Sequence, residues 1–240
     1  FRDRTFAHTF GAGRELDVFN ASQIIPELLL NILVSSALSA AFIPLFTSLW
    51  SSEKKEEALE LARTVMHAAI FAIIIVSALT AVFMPFLAGL IAPGFTDVER
   101  VLLIKISRLM LISPVLFAVS SSLGALLVSF KNFLPYGLSP IVYNLGATIG
   151  ALFAAQFNMG IYGLVWGTLG GALLHGVPRF IGIKWTPFRY ALQVKLRDKH
   201  FFTVLKLMIP KMIGHPVEQL TFFTFTRIAT LLAVGSVAAV

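Results

Sequence analysis

The chain has 240 residues, of which 57% are hydrophobic and only 13% charged, with a mean hydropathy of +0.85. That balance marks a membrane protein and excludes a disordered chain or a nucleic-acid-binding domain built on charged surface, and the lack of cysteine excludes disulfide staples, thiol catalysis and thiolate metal sites. The net charge of +7 does not point to nucleic acid as a partner, because the basic residues cluster in short stretches between apolar runs, as membrane topology demands.

A bilayer core about 30 Å thick needs roughly 20 mostly apolar residues per helix. Residues 1–10 are too few to cross and read as the tail of a first helix, with Gly11-Ala12-Gly13 as a turn after it. The second crossing runs from Ser22 to Trp50, the third from Leu61 to Ile91 and the fourth from Leu102 to Phe130. The fifth spans Leu134 to Phe157 and the sixth Ile161 to Ile183; a seventh, Val217 to Val240, follows the mixed segment Phe201 to Ile213. The expected fold class is all-α, a polytopic transmembrane helix bundle with about seven helices in view, and the apolar end at Val240 reads as an internal fragment of something longer. If the crossings alternate in direction, nine basic residues fall on one side and four on the other. Lys and Arg in short loops face the cytoplasm, so Gly11–Asp17 and Pro93–Glu99 are expected outside and the basic loop 182–200 inside. Ser51–Glu60 reads as the solvated start of a helix.

Polar residues within the spans are informative, since a charge at mid-bilayer costs about 2.5 to 3.5 kcal/mol on the insertion scale and must be sheltered or useful. Gln23, Glu27, Asn31, Ser35 and Ser39 recur at steps of four and trace one stripe on the second crossing. Such a stripe either faces a water-filled cavity or hydrogen-bonds to neighbouring helices. Gln219, Thr226, Arg227 and Thr230 share a face of the seventh crossing, where Arg227 either lines the same cavity or snorkels to an interface. Gly163, Gly167 and Gly171, Gly146 and Gly150, and Ser121, Ala125 and Ser129 form small-residue rows that suit close helix packing. His175 and Arg179 continue the Gly163 row and are expected to anchor at the cytoplasmic interface. Pro26, Pro44, Pro85, Pro114, Pro178 and Pro216 each remove a backbone donor and favour kinks. No phosphate loop, zinc-binding histidine pair or nucleophile elbow is present, so no cofactor, metal site or enzymatic chemistry is expected.

The same residues carry a resemblance. Arg2-Asp3, Phe10-Gly11-Ala12-Gly13, Asp17, Phe19, Ala21, Ile25-Pro26, Ala37, Ser39, Ala41-Phe42 and Pro44 resemble the opening signature of the MviN/MurJ family. The likeness continues through Ala92-Pro93-Gly94-Phe95, Pro135 to Asn144, Gly163 to Gly171 with Trp166, and Gln219 with Gly235-Ser236. These are lipid II flippases of the multidrug/oligosaccharidyl-lipid/polysaccharide exporter superfamily. The resemblance implies about fourteen helices in two lobes, with residues 1–200 in the N-terminal lobe, residues 201–240 opening the second lobe, and the C-terminal half outside this chain. It implies a bacterial cytoplasmic membrane protein that flips an undecaprenyl-diphosphate-linked precursor by alternating access. Partners are membrane lipids and cell-wall synthesis proteins, and the drive is the membrane potential or an ion gradient. Arg2 matches a required arginine, flanked by Asp3 and Asp17. With the stripe residues, Gln219 and Arg227 these make up the expected cavity. The family's helix-two Arg-Arg pair reads Leu30-Asn31 here, and its Glu-Gly-Ala reads Ser35-Ser36-Ala37. The departure leaves open a flippase for another polyprenyl-diphosphate glycan, or a non-transporting scaffold of the same fold.

Overall fold

The computed structural model describes residues 5–6, 13–35, 38–214 and 216–237, with the side chains at 35, 39, 40, 154, 211–214 and 216–220 left aside. Among the described residues the chain is helical, with no strand. Helix α1 spans Arg14–Leu30 and runs into a π-helical turn, Asn31–Ser35; a second π-helical turn, Leu38–Phe42, leads into α2, Ile43–Ser51. Then follow α3 (Lys55–Ile91), α4 (Asp97–Met110), α5 (Ile112–Ser129), α6 (Phe133–Gln156), α7 (Ile161–Ile183), α8 (Lys199–Gly214) and α9 (Pro216–Ala229).

Three departures from the sequence reading have local causes. Helix α1 begins at Arg14, eight residues before the expected Ser22, because Glu15 and Asp17 suit the positive end of a helix dipole and Leu16, Val18 and Phe19 are buried. The second crossing is not one regular helix: Pro44 cannot donate to the preceding turn and its ring crowds that carbonyl, and the wider i→i+5 turn Leu38–Phe42 lies just before it. The fourth crossing is two helices meeting at Leu111, since Pro114 offers no donor to the Met110 carbonyl, which accepts from Ser113 Oγ at 2.8 Å instead. Helix α4 opens on a capping box, with Glu99 Oε2 accepting from Thr96 N at 2.7 Å.

Three helical stretches, Arg14–Val34, Lys55–Ile91 and Asp97–Ser129, are long and apolar enough to cross a membrane. Helices α6 and α7, with 24 and 23 residues, also exceed the roughly 20 that a span requires. Helix α3 turns Phe71, Leu79, Val82, Phe83 and Phe86 outward, and α6 does the same with Ile141, Leu145, Ile149 and Leu152, surfaces that only lipid or another protein segment can cover.

Helices α6 and α7 pack along each other at backbone contact. An added Cβ on Gly150 would lie 2.2 Å from Gly167 Cα, and one on Gly171 would lie 2.6 Å from the Tyr143 carbonyl oxygen. The interior divides into two apolar clusters. One gathers Phe19, Met84, Ile91, Leu103, Met110 and Leu164 toward the Arg14 end; the other gathers Phe42, Phe46, Leu61, Met66 and Leu126 toward the basic end marked by Lys55, Lys131 and Lys184. Along α1 the first cluster reaches Ile25 and the second starts at Leu29, so Pro26 and Glu27 sit at the junction.

At the basic end the segment 184–198 is held down on α3. Arg63 donates to the Arg189 carbonyl at 3.1 Å and to Gln193 Oε1 at 3.0 Å, and Glu60 accepts from Lys195 Nζ at 2.6 Å and Gln193 Nε2 at 2.9 Å. The acidic helix start read as merely solvated is therefore the dock for this loop. Helix α9 stops at Ala229, short of the expected Val240, and turns follow to residue 237. The Thr230 hydroxyl donates to the Arg227 carbonyl at 2.8 Å, and Gly235 takes a φ of 88° that an L side chain resists.

Candidate functional site

Asn20, Gln23 and Glu27 fall at i, i+3 and i+7 on α1 and so share one face. The structure turns that face toward α9. With Ile24, Phe222, Thr226 and Val237 they line a cavity of about 150 Å³, half open to the outside. Glu27 is exposed, Gln23 half-buried and Thr226 buried. A second, smaller void of about 30 Å³ lies behind the same residues, between Gln23, Pro26, Glu27 and Leu30 and the facing Ser113, Phe117, Tyr143 and Thr168. Its size suits a water molecule, and the buried Thr168 hydroxyl in its lining has no partner among the described residues. Pro26 shapes this region by leaving the preceding turn one donor short. The Ser22 hydroxyl donates to the Phe19 carbonyl at 2.6 Å within that turn.

The predicted stripe is thus brought together only in part. Gln23 and Glu27 line the cavity. Asn31 is half-buried at the start of the first π-helical turn and outside the lining of both voids. Ser35 and Ser39 lie in the π-helical turns with side chains outside the described residues, as does the Gln219 side chain on α9. Arg2 and Asp3 lie outside the described residues altogether. Arg227 is exposed and follows Thr226, about 100° further round the helix. The described lining therefore carries one carboxylate, Glu27, and no cation. Asn20 was missed by stepping only in fours, although the i−3 position from Gln23 is on the same face.

Asp17 is fully buried and has a different role from the cavity residues. Its Oδ2 accepts from the Gly235 backbone at 2.8 Å, across 218 residues of sequence, and the Arg14 guanidinium stands 3.7 Å away. Arg14 Nε also meets Glu99 at 3.1 Å, and the Gly94 amide donates to Thr230 Oγ1 at 3.4 Å. An added Cβ on Gly94 would strike the Thr230 carbonyl oxygen at 2.0 Å. These contacts clasp the start of α1 and the turn between α3 and α4 to the end of α9.

His175 and Arg179, expected to anchor at the cytoplasmic interface, are both buried within the protein, at 7% and 5% exposure. His175 Nδ1 lies 2.9 Å from Ser120 Oγ, and Arg179 Nε donates to Ser139 Oγ at 3.1 Å. Gly124 on α5 makes the room, since a Cβ there would stand 2.7 Å from Arg179 Nη1.

With this geometry in view, comparison with known proteins is specific. The family profile described as "Lipid II flippase MurJ" matches residues 6–240. A protein named "Probable lipid II flippase MurJ" from Buchnera aphidicola subsp. Schizaphis graminum is 28% identical over 99% of this chain and 47% of its own length. The chain spans about half the length of the curated relatives it matches. Among solved structures, "Lipid II flippase MurJ, inward closed conformation" superposes with a TM-score of 0.79 at 24% identity, covering 99% of this chain and 49% of that one. An inward-facing multidrug resistance MATE family transporter of the MOP superfamily superposes at 0.72 with 12% identity, over 99% of this chain and 55% of that one. Both likenesses establish the half-exporter fold.

Proposed function

The chain belongs to the lipid II flippase MurJ family, and we propose that the protein it represents translocates lipid-linked peptidoglycan precursor across the bacterial cytoplasmic membrane by alternating access. It is a multi-pass transporter, not an enzyme, and needs no cofactor. Residues 1–200 form the N-terminal lobe, and residues 201–240 begin the second. The observation that supports this reading best is the cavity between α1 and α9, where the polar side chains of Asn20, Gln23, Glu27 and Thr226 converge. Polar side chains at that depth suit a hydrophilic headgroup better than they suit lipid.

A diphosphate headgroup requires cations. Arg2 is the basic residue we assign to that task, with Arg offering paired donors to phosphate. The clasp at Asp17 closes one end of the cavity, so rocking between states must break it. Energy enters through the membrane potential, worth about 2.3 kcal/mol per charge per 100 mV, or through an ion gradient. Membrane lipids and cell-wall synthesis proteins are the partners. Leu30, which lines the inner void where the family usually carries arginine, favours a second reading in which another polyprenyl-diphosphate glycan is the cargo.

The deciding experiment is rescue of cells depleted of their lipid II flippase by the intact gene. Replacement of Arg2 or Glu27 by alanine should abolish rescue at normal protein levels. Survival with both variants overturns the site assignment, and failure of the unaltered gene to rescue moves the proposal to the second cargo.

A further inference from the structure

We propose that a second pocket, separate from the cavity between α1 and α9, binds the phosphate group of an anionic glycerophospholipid through Arg179. The pocket has a volume of about 220 Å³ and is lined by Leu38, Ile43, Ser121, Ala125, Val128, Tyr136 and Arg179. It lies between the second π-helical turn, the start of α2, and helices α5, α6 and α7.

A buried guanidinium within a membrane helix is costly unless an anion or several acceptors compensate it. Arg179 is 5% exposed, and its one hydrogen bond among the described residues is from Nε to Ser139 Oγ. The face of Tyr136 stacks on it at 4.9 Å, which orients the plane but supplies no negative charge. No described carboxylate pairs with it, since the described ion pairs lie at the Arg14 clasp, in the first turn of α4 and along the start of α3. The Nη groups therefore keep donors without an acceptor among the described residues, in the planar fork that matches phosphate, and Arg179 lines the pocket. The missing Cβ at Gly124 leaves the space in which the guanidinium sits.

Depth selects the ligand. Helix α7 ends at Ile183, followed by Lys184; Arg179 is four residues earlier, about 6 Å along the axis. That level corresponds to the headgroup boundary of the leaflet at the basic end, where phosphate esters are concentrated. The apolar walls from Leu38, Ile43, Ala125 and Val128 suit the glycerol and first acyl carbons, while Ser121 adds a hydroxyl.

The test is a lipid titration of the intact protein in detergent, followed by native mass spectrometry. The probes are phosphatidylglycerol, diacylglycerol as its phosphate-free counterpart, and inorganic phosphate as competitor. Phosphatidylglycerol should form a saturable adduct that diacylglycerol does not, and Arg179→Gln should weaken it about tenfold or more, as loss of a charge-assisted pair implies. Ser121→Leu, which fills the pocket and leaves the guanidinium in place, should weaken it similarly. Displacement by inorganic phosphate identifies a seat open to the free anion, and resistance to displacement a seat that needs the lipid; both uphold the site. If Arg179→Gln does not fold, Ser121→Leu decides. Wild-type affinity in the folded variants, or equal binding of diacylglycerol, overturns the proposal.

Discussion

Replacing Asp17 by asparagine tests the proposal that the clasp closes the cavity at the Arg14 end. In the structure the fully buried carboxylate accepts from the Gly235 amide at 2.8 Å and faces Arg14 at 3.7 Å. Asparagine keeps an acceptor for the amide but removes the charge. Hydrogen bonds to charged groups contribute about 1.5 to 3 kcal/mol and neutral ones about 1, so the clasp weakens by about 1 kcal/mol and the opened fraction rises about fivefold. Alanine also leaves the Gly235 amide unsatisfied, raising the loss to about 2 kcal/mol and the change to about thirtyfold. The chain has no cysteine, so Ala229→Cys places a single thiol in this chain at a position 1% exposed beside the clasp. Its labelling rate by a membrane-impermeant maleimide reads the opened fraction. Rates should rise in the order parent, Asp17→Asn, Asp17→Ala. Equal rates in all three, with the proteins intact, refute the idea that this contact holds the cavity shut.

Other outcomes follow from contacts at single residues. Gly150→Ala should lower the thermal midpoint by several degrees, since the new methyl group lies 2.2 Å from Gly167 Cα and overpacking costs about 1 to 3 kcal/mol. Gly170→Ala, with nothing within 4 Å of the added carbon, should leave the midpoint unchanged or raise it slightly. Lys195→Ala should change stability by less than about 1 kcal/mol in the same measurement, because the Lys195–Glu60 pair is half-exposed. Arg63→Ala, which removes donors to the Arg189 carbonyl and Gln193, should instead expose segment 184–198 to trypsin.

Long apolar runs were legible because the bilayer imposes a length on them. The sixth crossing falls at Ile161–Ile183 both in the sequence reading and in the structure. The glycine rows were legible for a related reason: backbone approach needs the absence of a side chain, and that absence is visible in sequence at the correct spacing. The break at Leu111 was only half visible, because Pro114 announces a lost donor but not that Ser113 will satisfy the Met110 carbonyl. Of the site, Gln23 and Glu27 were found by periodicity. Asn31 was placed with them by the same periodicity, but spacing along one helix does not show how far down it the facing helices leave a void, and Asn31 lines neither. Contacts such as Asp17 with Gly235, and Arg179 with Ser139, join residues far apart in the chain, so spacing alone could not reveal them.

The glycine seam between α6 and α7 bears on how the bundle could change shape. With Gly150 and Gly167 in backbone contact, no layer of side chains remains that could slide or repack between these two crossings. They are obliged to travel as one lever. Bending must then be absorbed elsewhere, and the π-helical turns Asn31–Ser35 and Leu38–Phe42 are the natural fulcrum, since a widened turn can tighten to a regular one by exchanging i→i+5 for i→i+4 bonds, rotating everything beyond it.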